Sequence, residues 1–88
     1  MRRQYTVSWS PSAERRLAEL WVENPLIKQE ITRAADEIDA ALAHEPNEIG
    51  IPTSARARLV CRPPLSVLFL TREPDRQVRV IFVKLWDD

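Results

Sequence analysis

Glycine and cysteine are almost missing from this chain: Gly50 and Cys61 are the only residues of their kinds among 88, against seven prolines. A lone glycine excludes a collagen-like repeat and a glycine-rich linker. A lone cysteine cannot close an internal disulfide, and with a single histidine, His44, it cannot furnish a four-ligand structural zinc site. No metal and no cofactor is expected, and a reducing cytoplasm is the natural compartment. Net charge is missing too: the formal total is zero, so no global field draws the chain onto nucleic acid or an anionic membrane. No apolar run approaches the roughly 20 residues that a spanning helix needs. Arg2 and Arg3 are followed by Gln4, Thr6 and Ser8, where a secretory leader requires unbroken apolar residues. The expectation is a soluble cytoplasmic protein without membrane contact, and a length of 88 residues leaves room for one domain, 1–88.

What is present is unevenly distributed. Residues 1–49 carry six basic and nine acidic side chains, residues 50–88 seven basic and four acidic. The second half is the candidate anion-facing half, unless the asymmetry is only scatter of solvated charge.

Gln4 to Trp9 alternate polar and apolar side chains, as a strand with one buried face requires. Ser10-Pro11 is a helix start: the hydroxyl takes an orphan amide and the proline ring presets φ. Ala13, Leu17, Leu20 and Trp21 then form a core-facing stripe to about Val22. Asn24-Pro25 repeats the cap-then-proline signal, and Ile27, Ile31, Ala34, Ile38 and Leu42 make a second stripe that Pro46 ends. The two helices form a hairpin. Residues 47–55 have no period and read as a surface loop. From there the period is two. Arg56, Arg58, Val60 and Arg62 share one face of a strand, read as solvated, while Ala57, Leu59 and Cys61 share the other, with Cys61 inward as a small hydrophobe. Leu65 to Thr71 are apolar on both faces apart from Ser66, as in a central strand, and Gln77 to Trp86 make the last one, after the turn at Glu73-Pro74-Asp75-Arg76. The fold class is α+β, β-α-α-β-β-β, a helical hairpin packed on a four-stranded antiparallel sheet.

This order, with the opening Val7-Ser8-Trp9-Ser10-Pro11-Ser12-Ala13-Glu14, the helix end His44-Glu45-Pro46, Arg58-Leu59-Val60, Pro64-Leu65-Ser66-Val67-Leu68-Phe69 and Val78-Arg79-Val80-Ile81-Phe82-Val83, resembles the RelE/ParE toxin superfamily of type II toxin–antitoxin systems. The resemblance spans nearly the whole chain and implies a RelE-like fold. It implies a toxin associated with plasmid stabilisation that either cleaves messenger RNA on the ribosome or poisons DNA gyrase, together with a cognate antitoxin covering its active face. In the RNA-cleaving branch, a ribosome-dependent endoribonuclease, basic residues of the meander stabilise phosphate charge. Arginine suits this because its planar fork binds phosphate oxygens in pairs and keeps its charge.

Carried onto this sequence, the resemblance nominates Arg58, Arg62 and Lys84 as catalytic, with Arg56 and Trp86 as RNA contacts. It is incomplete. Val60 and Ser66 stand where basic residues are expected, and Trp86-Asp87-Asp88 replaces a basic and tyrosine-bearing ending with two acids that would repel a phosphate. The alternative is therefore a catalytically inactive toxin-fold protein that acts as a binding or regulatory module. The arginines also fit the wet face of an edge strand, where charge deters aggregation. His44 fits a dipole-compensating residue better than a base, and Trp86 a cover for the sheet edge as well as a stacking platform. Trp9 and Trp21, each on an apolar stripe, are expected in the core. Leu68 and Leu70 lie opposite Val67 and Phe69 in alternation, so something must cover the second face of the sheet. An antitoxin segment, or a homodimer in its absence, is the expected cover.

Overall fold

The computed structural model describes residues 4–53 and 56–86. Strand β1 (Thr6–Trp9) leads into helix α1 (Pro11–Glu23), helix α2 (Lys28–His44) follows, and then come β2 (Ile51–Pro52), β3 (Arg58–Arg62), β4 (Leu65–Arg72) and β5 (Gln77–Leu85). The start of α1 is the one its sequence requires: Ser10 Oγ accepts from the Ala13 amide at 3.1 Å, with Pro11 in the first turn. Asn24 behaves differently from Ser10. Its Nδ2 donates to the Leu20 carbonyl at 2.8 Å, so it closes the end of α1, and Pro25–Ile27 make a 3₁₀ turn before α2 begins.

The sheet runs β1-β5-β4-β3-β2. The α+β class and the helical hairpin hold, and two features of the sheet differ from expectation. It is mixed, because β1 pairs parallel with β5 (Val7 with Val78, Trp9 with Val80), and among the described residues it has five strands, because Ile51 and Pro52 add to the edge of β3. Alternation along residues 4–9 reports which face is buried, and says nothing of strand direction. The edge strand is two residues long and too short to show a period.

Both helices pack on one face of the sheet. The core is Ala13 and Leu20 of α1, the Ile31, Ala34, Ile38 and Leu42 stripe of α2, Val60, and the inward residues of β4 and β5, including Leu65, Val67, Phe69, Val78, Val80 and Val83. Val80 and Val83 are an odd number of residues apart, and a regular strand would send them to opposite faces. A bulge opposite Leu68 and Phe69 turns both inward.

Two expectations of burial are corrected. Trp21 is 40% exposed, with its Nε1 donating to Thr32 Oγ1 at 3.2 Å and Lys28 Nζ 4.1 Å from the ring centroid. It follows Leu20 at the margin of the stripe, so the ring caps the outside of the hairpin. Trp9 packs against the core as expected, and its Nε1 reaches Asp39 Oδ1 at 3.2 Å. The second correction concerns β3. Val60 is only 2% exposed, so the face it shares with Arg58 and Arg62 is the one turned toward the helices, and Leu59 and Cys61 belong to the open side. Near the edge of the sheet one valine suffices to fill the core layer, and the flanking arginines lay their stems along its rim.

Candidate functional site

The open face of the sheet is a set of cross-strand rows. Leu59, Leu68 and Phe82 align across β3, β4 and β5, and next to them Cys61, Ser66 and Lys84 form a second row. On the other side, Arg79 pairs with Leu70 of β4 and with Ser8 of β1. The result is an apolar strip, with Phe82 48% exposed, bordered by the exposed cations of Arg79 and Lys84. Within the second row Cys61 Sγ lies 3.2 Å from Ser66 Oγ. Ser66 is buried although it belongs to the open face, so a long basic side chain at that position would have to displace its neighbours.

The nominated residues do not converge. Lys84 is on the open face, while Arg58 and Arg62 are on the helix side, half-buried. The Arg58 fork holds the chain that leads into β2: Nε donates to the Ile49 carbonyl at 3.0 Å and Nη2 to the Gly50 carbonyl at 3.1 Å. Arg62 Nη1 donates to the Cys61 carbonyl at 3.2 Å. Arg56 is exposed ahead of β3. Trp86 is 44% exposed just past β5, and its amide donates to the Pro64 carbonyl at 2.7 Å, which holds the chain end against the β3–β4 turn. His44 is exposed in the last turn of α2, where an imidazole suits the negative end of the helix. Arg2, Arg3, Asp87 and Asp88, invoked for a leader and for a repulsive tail, lie outside the described residues.

Arg79 is the cation that sequence reasoning passed over. Its signal was the alternation Val78-Arg79-Val80, which puts it on the face opposite two buried valines. Among the described residues, no group of three or more His, Cys, Asp or Glu could hold a metal ion, and no helix is long and apolar enough to cross a membrane.

This arrangement has solved counterparts. A chain of the RelBE2 toxin–antitoxin complex from Mycobacterium tuberculosis superposes with a TM-score of 0.80 at 22% identity, covering 98% of this chain and 95% of its own. A chain of the chromosomal ParDE TA system from P. aeruginosa gives 0.67 at 13% identity, over 96% and 98% of the two chains. The chain has the RelE-like fold. No protein-family model matches the sequence, and no curated protein matches it significantly. Among the described residues no helix covers the open sheet face, and that face carries both an apolar strip and cations.

Proposed function

We propose that this chain is the toxin component of a type II toxin–antitoxin pair in the cytoplasm, and that a segment of the cognate antitoxin covers its open sheet face. The observation that carries this reading is the likeness, over nearly the full length of both chains, to a chain of the RelBE2 toxin–antitoxin complex. The exposed Phe82, with half-covered Leu59, Leu68 and Leu70 around it, supports it: an apolar strip of this kind is stabilised by a partner that removes it from water.

The toxin acts by binding its target. Cleavage through Arg58, Arg62 and Lys84 would need three cations around one phosphate, whereas Lys84 is on one face and the two guanidinium groups are bonded to carbonyl oxygens on the other. Of the two targets that the resemblance implies, DNA gyrase is the one that asks no cleavage step of the toxin. A second reading, messenger RNA on the ribosome, is favoured by one observation: Phe82 lies between Arg79 and Lys84, an aromatic ring among cations that suits single-stranded RNA. In that reading Lys84 is the phosphate contact, with Arg56 and Trp86 at the margin.

The test is expression of the chain with and without the product of the neighbouring gene, following growth, transcript integrity and supercoiling. Growth arrest with relaxed DNA and intact transcripts, relieved by the neighbour, is the expected result. Transcript cleavage that Lys84→Ala reduces by about a hundredfold would transfer the assignment to the ribonuclease. Harmless expression would leave the inactive binding module as the function.

A further inference from the structure

The outer face of α2 carries Lys28, Gln29, Thr32, Arg33, Asp36 and Glu37, spaced i, i+1, i+4, i+5, i+8 and i+9. This is the repeat that aligns side chains along one side of a helix. The face lies away from the buried Ile31, Ala34 and Ile38 and, with Trp21, bounds a shallow groove of about 530 Å³. About its midpoint the first half carries one charge, Lys28, and the second half carries Arg33, Asp36 and Glu37, a net charge of −1. No ion pair within the described chain engages Lys28, Arg33, Asp36 or Glu37. At the Lys28 end two large apolar side chains stand in solvent: Leu26 is 94% and Trp21 40% exposed.

The spacing is symmetric about the point between Thr32 and Arg33. A twofold axis there sets Lys28 opposite Glu37, Gln29 opposite Asp36 and Thr32 opposite Arg33, and each pairing occurs twice. We propose that this face of α2 is a homodimer interface, in which a second copy of the chain lays its own α2 antiparallel across the groove. Ala40, a small exposed residue at the far end of the groove, leaves room there for the Pro25–Ile27 turn of the other copy. Covering Leu26 and Trp21 supplies the apolar driving force, and the charges select register and direction. A parallel arrangement would oppose Lys28 to Lys28 and Glu37 to Glu37, and is disfavoured for that reason. The interface is on the helix side of the molecule, so it leaves the open sheet face available and stands whether or not the proposed function does.

Sedimentation across a concentration series tests the proposal. The chain is expected to dimerise. Lys28→Glu and Glu37→Lys, each placing two like-charged pairs in the interface, should each weaken association by at least about tenfold, and the double variant should restore it because the pairs are then opposite again. All these positions are on the helix surface, so thermal melts at concentrations where the chain is monomeric should shift by less than about 1 kcal/mol, the loss of the Lys28–Trp21 contact included. As a second measurement, Arg33→Cys beside the axis, in a Cys61→Ser background, should cross-link two copies under mild oxidation. A monomer at every concentration, a dimer indifferent to both single reversals, or a double variant no better than the singles would overturn the interface. So would a failure of Arg33→Cys to cross-link.

Discussion

Strands β4 and β5 present two faces that differ in apolar content and in fate: the helix side is almost wholly apolar, and the open side interleaves apolar residues with Ser66, Arg79 and Lys84. On the helix side Leu65, Val67, Phe69, Val78, Val80 and Val83 are sealed from water, whereas on the open side Leu68 and Leu70 are half-covered and Phe82 is 48% exposed. Being apolar therefore does not by itself say whether a residue of these strands stabilises this fold or serves a partner. The difference lies in what the chain itself supplies: the hairpin of α1 and α2 is long enough to cover one side only. The covered face contributes folding free energy, and the open face holds its apolar area available for association.

The largest expected effect tests the covered face. Phe69→Ala should lose about 3–5 kcal/mol in denaturant unfolding, since it leaves a cavity in a closed layer. Phe82→Ala, the same deletion on the open face, should cost under about 1 kcal/mol, because the ring is already half in water. Equal losses would dissolve the distinction between the faces. Next in size is Gly50→Ala. Gly50 has φ +73°, and a Cβ there would overlap the Leu59 carbonyl oxygen, so a loss of about 2 kcal/mol is expected, with faster amide exchange at Ile51 and Thr53 as β2 detaches.

Arg58→Ala against Lys84→Ala sharpens the comparison at the level of single charges. Removing the fork that holds the Ile49 and Gly50 carbonyls should cost about 1–2 kcal/mol, while removing the exposed Lys84 should move stability by less than about 0.5 kcal/mol. Should Arg58→Ala melt like the parent chain yet lose toxicity, Arg58 acts on the target directly. Last, Ser10→Ala removes the cap of α1 and should cost about 1 kcal/mol by thermal melt. Its effect on partner binding should be nil, because β1 contributes only its exposed Thr6 and Ser8 to the open face.

The elements were legible where a local physical signal exists. Ser10-Pro11, the five-position stripe of α2 and the break at Pro46 all mark structure through covalent geometry and side-chain period, which act over a few residues. The candidate site was far less legible. Arg58 and Arg62 were correctly placed on one face of one strand, but the direction of that face depends on where Val60 finds the helices. Lys84, read beside them, came out on the other side of the sheet. Arg79 was visible as an alternation and missed as a cation of the open face, because its row partners Leu70 and Ser8 are distant in sequence.

The sequence by itself determined the α+β class, the order of the helices and the four longer strands, the amphipathic stripes and the resemblance to the RelE-like fold, but not β2. Only the tertiary structure decided the parallel pairing of β1 with β5, the bulge that turns Val80 and Val83 to the same side, the exposure of Trp21 and the separation of Arg58 from Lys84. The reason is range. Period and capping are properties of neighbouring residues, whereas strand direction, register and the choice of buried face are settled by contacts between segments far apart in the chain.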